Sequence, residues 1–255
     1  MRYLVAIFFG FLLGLPCGAA EIRVFISGGF FGAYTELVQE FMKETGHTVV
    51  TAQGPSMGAT PQAIPNRMDR GETVDVVILA RESLDQLADR GKVVADSRVD
   101  LVRSSIAMAV KSGAPRPAIA TLEEFRKALL DARSIAYSDS ASGVYLQSTL
   151  FPRMGVWDAI KDKSRMIPAE PVGKVVARGE AEIGFQQLSE LKHVGEGIDI
   201  VGYIPKEAQK VTTFSGGVAT AAPNPAEGRK LLAFLASPRA WPVIEHAGLE
   251  PARGR

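Results

Sequence analysis

Cysteine and an excess of one charge are both nearly missing from this sequence. Cys17 is the one cysteine in 255 residues, so an internal disulfide and a metal cluster of several cysteines are excluded. Lysine and arginine number 29, against 28 aspartate and glutamate residues. Because nucleic acids and anionic membranes select basic surfaces, this balance argues against both as partners. No Gly-x-Gly-x-x-Gly motif, P-loop or ligand cluster at metal spacing occurs, so the sequence implies no cofactor and no metal.

Long hydrophobic runs are missing too, apart from one at the amino terminus. Residues 3–15 are an apolar run that follows Arg2 and ends before Pro16. A membrane-spanning helix needs about 20 apolar residues, which this run does not reach. Positive charge, apolar core, helix breaker and small residues ending at Ala20 are the parts of a secretory signal peptide in their usual order. The sequence predicts that residues 1–20 are cleaved on export to the periplasm.

Cleavage would remove the single cysteine, Cys17, and the one excess positive charge, Arg2. It would leave 28 basic residues, 28 acidic residues and no cysteine. A cysteine-free chain suits an oxidising compartment, where a stray thiol reacts. The alternative is a lipoprotein signal acylated at Cys17, but Pro16 stands where such signals have a small residue. We therefore expect a soluble, exported monomer that begins near Glu21.

The rest of the chain alternates between strand and helix patterns. Short apolar segments predict strands, and apolar residues spaced by three and four predict helices. This alternation predicts α/β lobes with parallel sheets. The predicted strands cover residues 22–27, 47–52, 74–79, 105–110, 134–137 and 183–187. The predicted helices cover residues 30–44, 83–90, 122–131, 171–178, 226–236 and 241–247, with two more that start near residue 60 and after the turn at 138–143.

Four turns that precede helices share one composition. They lie at residues 27–29, 54–58, 138–143 and 170–173, and they are rich in glycine and serine. Free backbone N–H groups at a helix start bind anions without lysine or arginine, and glycine lets a ligand come close. Each turn alone would be an ordinary helix cap. Together, at the carboxyl ends of strands, they predict one site for an oxyanion or a carboxylate.

Longer stretches carry a family resemblance over the whole mature chain. They include IRVFISGGFFGAYTELVQEF, VDVVILARESLDQL, ARGEAEIGFQQLSEL and the C-terminal AAPNPAEGRKLLAFLASPRAWPVIEHAGLEP. The chain resembles the type 2 periplasmic solute-binding proteins, in particular their molybdate-binding branch. The resemblance implies two α/β lobes joined by crossing strands, with the ligand in the cleft between them. It places residues 21–102 and 204–255 in the first lobe and residues 103–203 in the second.

The pocket of the molybdate binders is not reproduced here. That branch has a serine where this sequence has Gly29, and a tyrosine where it has Gln187. Its second serine corresponds to Ser56, which is followed by a short insertion that carries Gln62 and Arg67. Two adjacent glutamines and this insertion suit a larger organic ligand with several carboxylates.

A narrower resemblance is carried by PSMGATPQAIPNRM, SDSASGVYLQSTLFPRM, GEAEIGFQQLSELK and GIDIVGYIP. These stretches are similar to the bacterial aconitate isomerases, a family built on the same binding-protein fold. The resemblance implies interconversion of trans-aconitate and cis-aconitate. In that reaction a proton leaves a carbon next to a carboxylate and returns at the other end of an allylic system.

Such a proton shift needs a general base and donors for the negative charge that develops. The candidate bases are Glu170, Tyr145 and Asp139. Each of these residues can also have a purely structural role. Glu170 can favour the start of a helix, Asp139 can form a turn or cap a helix, and Tyr145 can belong to the core. The candidate ligand-binding residues are Ser27, Gly28, Gly29, Ser56, Met57, Gln62, Arg67, Ser140, Ser142, Gly143, Val172, Gln186 and Gln187.

Two further functions fit an exported, neutral protein with a cleft. One is a transport receptor that delivers an organic acid, such as a tricarboxylate, to the permease of an ABC transporter. The other is a receptor for molybdate-like oxyanions, which Gly29 and Gln187 disfavour. The partner expected from the sequence is a small-molecule carboxylate.

Overall fold

The computed structural model of the protein describes residues 18–253. Most of the predicted signal peptide lies outside these residues. Two sheets, each covered by helices, form two lobes, as the α/β prediction requires. No helix within residues 18–253 is long and apolar enough to cross a membrane.

The strands in chain order are β1 (Glu21–Ile26), β2 (Thr48–Gln53), β3 (Val76–Ala80), β4 (Val99–Ser104), β5 (Ile106–Lys111), β6 (Ile135–Ser138), β7 (Ser164–Ile167), β8 (Ile183–Gln187), β9 (Ile198–Tyr203), β10 (Thr212–Val218) and β11 (Glu250–Pro251).

The helices are α1 (Gly28–Thr45), α2 (Ile64–Asp69), α3 (Arg81–Asp89), α4 (Leu122–Asp131), α5 (Ala141–Tyr145), α6 (Phe151–Arg153), α7 (Trp157–Ile160), α8 (Val172–Ala177), α9 (Leu188–Val194), α10 (Pro225–Ala236) and α11 (Trp241–His246). A π-helical turn at Leu146–Leu150 joins α5 to α6.

Both sheets are mixed, so the prediction of parallel sheets was wrong in part. The first sheet has the order β11-β4-β10-β3-β1-β2, and the second has the order β7-β6-β8-β5-β9. Strands β2, β1 and β3 are parallel, as are β7, β6 and β8. However, β10 is antiparallel to both of its main neighbours, and so is β5. These two strands enter their sheets from the other lobe, and an apolar pattern carries no information about strand direction.

The two lobes are connected by short crossings of the chain. Between β4 and β5 the crossing is the single residue Ser105. The return crossing, between β9 and β10, contains Gln209. The side chain of Gln209 accepts the N–H of Ile106 at 2.7 Å and donates to its carbonyl at 2.9 Å. This side-chain amide therefore binds one crossing segment to the other as a neighbouring strand would.

Each lobe has its own apolar core. In the first lobe, Phe30, Tyr34 and Leu37 on α1 are fully buried against the sheet. In the second, the rings of Phe185 and Phe151 lie 6.5 Å apart, centre to centre, and Phe125 packs edge-on against Phe185 at 5.8 Å. Burial of aromatic rings dominates the energetics of such cores.

The helix predicted from near Thr60 begins later in the structure. Helix α2 starts at Ile64, and the preceding segment is irregular. Asn66 explains this shift, because its Nδ2 donates to the carbonyls of Gly58 and Thr60 at 3.1 and 2.8 Å. These bonds close the segment into a loop that faces the other lobe. The sequence also did not predict β4, β7, β9, β10, β11, α7 or α9.

Gly29 is a position of the first lobe that has no room for a side chain. A Cβ at this position would lie 2.1 Å from the buried ring of Phe214. We predict that Gly29→Ala lowers the free energy of unfolding by about 1–3 kcal/mol, because the core must shift to accept the methyl group. Urea unfolding measures this loss. Gly32→Ala on the same helix is the control, since its Cβ would meet the side chain of His193 at 3.2 Å; an equal loss in both variants would contradict the prediction.

Candidate functional site

A small cavity lies between the two lobes, at the carboxyl ends of the parallel strands. Its volume is about 140 Å³, below the roughly 300–1,000 Å³ of pockets for drug-sized ligands. Residues from all four of the glycine- and serine-containing turns line it, together with residues of β8 and α9. The lining consists of Gly28, Gln53, Gly54, Pro55, Gln62, Ser138, Asp139, Ser140, Ala169, Glu170, Pro171, Gln186 and Glu190.

Contacts between the lobes close this cavity. Ser189 Oγ on α9 donates to the carbonyl of Gly29 on α1 at 2.7 Å. The N–H of Ser56 donates to Ser140 Oγ in the other lobe at 3.0 Å. The ring of Phe31 packs edge-on against His193, with 5.6 Å between the ring centres. The protein is therefore in a closed arrangement in which the cavity wall comes from both lobes.

Glu190 on α9 places a carboxyl group in the cavity. A Cβ on Gly28 would lie 2.0 Å from Glu190 Oε1, so the carboxyl rests directly on the backbone of α1. Burial raises the pKa of Glu190 to about 7, in spite of hydrogen bonds from Gln186 and from the backbone of Gln187, and the nearby charge of Asp139 adds to the rise. A carboxyl with this pKa can accept or give a proton near neutral pH.

Asp139 is a second carboxyl in the same cavity, and only 7% of its surface is exposed. Its Oδ2 accepts the N–H of Ala169 at 3.0 Å. Ala169 has a φ of 51°, a left-handed conformation that is uncommon for a residue other than glycine. Burial raises the pKa of Asp139 above its ordinary value, against the effect of the Ala169 hydrogen bond. A strained backbone position thus orients a buried carboxyl, as is typical of functional sites.

Gln186 connects Glu190 to the start of α8. Its Oε1 accepts the N–H of Val172 at 2.9 Å, and its Nε2 donates to Glu190 Oε1 at 2.9 Å. Because the Val172 N–H needs an acceptor, the amide group of Gln186 must turn its NH₂ towards Glu190. The adjacent Gln187 points elsewhere, and its Nε2 donates to Thr212 Oγ1 at 3.0 Å.

The predicted serines mostly hydrogen-bond to the protein itself. Ser56 Oγ accepts the N–H of Ala80 at 2.9 Å. Ser142 Oγ lies 3.0 Å from Ser138 Oγ, which also accepts the N–H of Gly143 at 3.3 Å. Within residues 18–253, Ser27 Oγ and Gln187 Oε1 are buried without a hydrogen-bond partner. Of the predicted serines, Ser140 lines the cavity.

Two of the candidate bases, Glu170 and Tyr145, already form hydrogen bonds with other groups of the protein. Glu170 lines the cavity, but its Oε1 and Oε2 accept hydrogen bonds from Arg178 at 2.6 and 3.2 Å, and this pairing lowers the pKa of Glu170. The hydroxyl of Tyr145 donates to the carbonyl of Ala208 at 3.0 Å, and Tyr145 packs against the core of the second lobe. Tyr145 is not among the residues that line the cavity.

The inserted segment contributes Gln62 to the cavity wall. Arg67 lies outside the lining, with its guanidinium 3.9 Å from the ring centre of Phe25 and 2.7 Å from a carboxyl oxygen of Glu72. Met57 packs against the core of the first lobe. The described lining therefore contains three carboxyl groups and no lysine or arginine.

A larger groove of about 1140 Å³ lies on the first lobe, away from this cavity. Its four arginines already have carboxylate partners: Arg81 pairs with Asp100 at 2.8 Å, Arg98 with Asp85 at 2.6 Å, Arg103 with Glu250 at 2.9 Å and Arg253 with Glu245 at 2.9 Å. Because none of these four arginines is left to meet a ligand, we take the cavity between the lobes as the candidate site.

Comparison with known proteins identifies the fold family. The sequence profile of the bacterial extracellular solute-binding proteins matches residues 22–250. The chain belongs to this family. Among the curated relatives of this solute-binding protein, an aconitate isomerase from Pseudomonas sp. is 54% identical over 244 residues, which are 94% of this chain and 93% of the relative. The molybdate-binding protein ModA of Azotobacter vinelandii is 25% identical and covers 97% of this chain and 96% of its own.

Solved structures show the same two-lobe fold. The periplasmic molybdate-binding protein of Azotobacter vinelandii superposes with a TM-score of 0.72 at 21% identity, over 89% of this chain and 98% of its own. A periplasmic thiamin binding protein superposes with a TM-score of 0.70 at 14% identity, over 92% of this chain and 84% of its own. The predicted fold class and both family resemblances are thus confirmed.

Sequence reasoning missed Glu190, which is the most perturbed carboxyl of the site. Glu190 is the third residue of α9, where a glutamate usually reaches back to cap the helix start. Its spacing from Gln187 is therefore that of an ordinary cap. Gln186 is the signal that could have shown that Glu190 is a carboxyl of the cavity and not only a helix cap. A polar residue at the end of a buried strand needs a hydrogen-bond partner, and Glu190 lies across the turn from it.

The raised pKa of Glu190 predicts that the free energy of unfolding depends on pH between about 4.5 and 7. Folded protein holds this proton up to about pH 7, whereas the unfolded chain loses it near pH 4.5. The free energy of unfolding therefore contains a contribution that is fully present below pH 4.5 and is lost as the pH rises to 7. We expect Glu190→Gln to flatten this decline, measured by urea unfolding across that range.

The matched control for this series is Glu170→Gln. The pKa of Glu170 is lowered by Arg178, so its contribution to stability is lost only as the pH falls below the ordinary range of a glutamate. Its slope between pH 5 and 7 should match that of the wild type. Equal slopes in the wild type and the Glu190 variant would contradict the proton uptake assigned to Glu190.

Proposed function

We propose that this solute-binding protein is a periplasmic isomerase that interconverts trans-aconitate and cis-aconitate in the cavity between its lobes. The identity of 54% to an aconitate isomerase, over nearly the full length of both chains, supports the proposal. The single observation that carries it is the carboxyl of Glu190, which lies in a closed cavity with a pKa of about 7.

The cavity supplies the acid–base chemistry that an allylic proton shift needs. A general base works best when its pKa lies near the operating pH, and it must lie within hydrogen-bond reach of the proton. Glu190 and Asp139 meet the first condition better than Glu170, whose carboxylate is neutralised by Arg178. Tyr145 gives its hydroxyl hydrogen to Ala208. We therefore assign proton transfer to Glu190 and Asp139.

The negative charge that develops on the substrate needs donors of its own. No lysine or arginine is found in the described lining, so polar side chains and backbone N–H groups must meet the substrate carboxylates. Gln62 and Ser140 line the cavity, and Gly28 opens the backbone of α1 to it. Preorganised dipoles of this kind stabilise charge in a closed site, because they need no rearrangement during the reaction.

We propose that the protein reaches the periplasm through cleavage of residues 1–20 and works there as a monomer. The extracellular solute-binding family supports this location. A transport receptor for a tricarboxylate, acting with the permease of an ABC transporter, is the second candidate function. It is favoured by the family as a whole and by the likeness to ModA.

One assay separates the candidates. Purified protein is incubated with trans-aconitate, and the two isomers are followed by chromatography and ultraviolet absorbance. Isomer conversion is the expected result. Binding of trans-aconitate by calorimetry without conversion would contradict the enzyme and leave the transport receptor. Binding of molybdate in preference to both isomers would contradict the organic-acid ligand as well.

Gly28 offers a mutational test that leaves the fold intact. The nearest atom to an added Cβ is Oε1 at the far end of the Glu190 side chain, which can move. We predict that Gly28→Ala folds normally but displaces the carboxyl, so that kcat falls by about 100-fold. Steady-state kinetics of aconitate conversion measure this loss. Gln39→Ala, at an exposed position of the same helix, is the control and should retain the wild-type kcat.

A further inference from the structure

We propose that Gln53, at the end of β2, selects a substrate with three carboxylates by donating its side-chain N–H to the carboxylate on the central carbon. The proposal rests on the isomerase function above and deepens it, since it names the residue that distinguishes aconitate from dicarboxylates with the same carbon chain. Gln53 takes no part in the proton transfer, and its effect is on which acid the cavity accepts.

The first sheet places Gln53 at the cavity. Gln53 is the last residue of β2 and pairs with Ile26, the last residue of β1, so these two parallel strands end level with each other. Helix α1 then begins at Gly28, and both Gln53 and Gly28 line the cavity. Gln53 is exposed, whereas only 7% of the surface of Asp139 is exposed. Gln53 therefore lies at the side of the cavity that opens to solvent.

The inserted segment brings a second glutamine to the same place. Gly54 follows Gln53, and a Cβ on Gly54 would lie 2.1 Å from the carbonyl oxygen of Gln62. The close approach of these two backbones requires a glycine, and it sets Gln62 beside the end of β2. The N–H of Ile64 donates to the carbonyl of Pro55 at 2.9 Å and closes the loop at its base. Two glutamines of the first lobe are thus held close to each other in the cavity wall.

The side-chain amides of these two glutamines are available to a ligand. The amide of Gln186 already donates to Glu190. By contrast, neither Gln53 nor Gln62 forms a side-chain hydrogen bond to the protein within residues 18–253. An amide N–H donates to a carboxylate without bringing a positive charge. It can therefore hold a substrate carboxylate and leave the pKa of the buried carboxyls raised, which a lysine or arginine at the same place would lower.

The chemistry of the substrate indicates which carboxylate the Gln53 amide meets. When the methylene of aconitate gives its proton to the base, the electrons of the broken C–H bond spread over the two outer carbons of the allylic system and their carboxylates. The acid then protonates the other outer carbon. The central carbon gains no charge, so its carboxylate needs only a neutral donor at the open side of the cavity. Binding a group whose charge stays constant lowers KM without raising kcat.

Glutaconate, which is aconitate without its central carboxylate, tests this role of Gln53. Wild-type protein should bind trans-aconitate at least about 10-fold more tightly than trans-glutaconate. Gln53→Ala should weaken the binding of trans-aconitate by about 10-fold, as expected for a lost hydrogen bond to a charged group, and leave that of trans-glutaconate unchanged. Calorimetry with both acids measures the four affinities. In steady-state kinetics with aconitate, the loss should appear in KM rather than in kcat.

Gln86→Ala is the matched control, because Gln86 is an exposed glutamine of α3 in the same lobe and does not line the cavity. It should bind both acids as the wild type does. Gln53→Glu sets a negative charge against the central carboxylate, so it should weaken trans-aconitate more than Gln53→Ala does, with a smaller effect on trans-glutaconate. Equal losses for both acids in the Gln53 variants would mean that Gln53 acts on the shape of the cavity, and the proposal would be wrong.

Binding and conversion are separate readouts. If the wild type binds trans-aconitate without converting it, the isomerase function fails, but the four affinities still decide the role of Gln53. If the wild type binds neither acid, or binds both equally well, the selection assigned to Gln53 is wrong.

Discussion

The close approach of α9 to the start of α1 is the contact on which the site depends. Glu190 lies against the backbone of Gly28, and the preceding residue, Ser189, donates a hydrogen bond to the carbonyl of Gly29. These contacts join the lobes and also bury much of the Glu190 side chain. Closure and the raised pKa of this carboxyl therefore have the same cause, since burial is what disfavours its charge.

The balance of acidic and basic residues in the sequence has a counterpart in the cavity, whose described lining contains no lysine or arginine. A binding site for carboxylates usually contains arginine or lysine. Here Arg178 pairs with Glu170, which lines the cavity, and Arg67 stacks on Phe25 beside Glu72. A cation in the cavity would hold the pKa of Asp139 and Glu190 down. Because the described lining contains no such cation, the pKa values of both carboxyls stay raised, that of Glu190 to about 7.

Much of the architecture could be predicted from the sequence, because strand and helix periods and glycine stops are local signals. The turns around Gly28, Gly54, Ser140 and Pro171 do line one cavity. Strand direction in β5 and β10 could not be predicted, since it depends on where the chain crosses between lobes. Glu190 was missed for a related reason: its burial arises from α1, more than 150 residues earlier in the chain.

The single-residue crossing at Ser105 limits how the two lobes can move. One residue leaves little length for sliding, and the Gln209 side chain ties the second crossing to Ile106 at the same place. A rotation of one lobe against the other about this line would part α1 from α9 and expose Glu190 and Asp139 to water. The exchange of protons between the site and the solvent would then be timed by the opening of the lobes rather than by the chemical step.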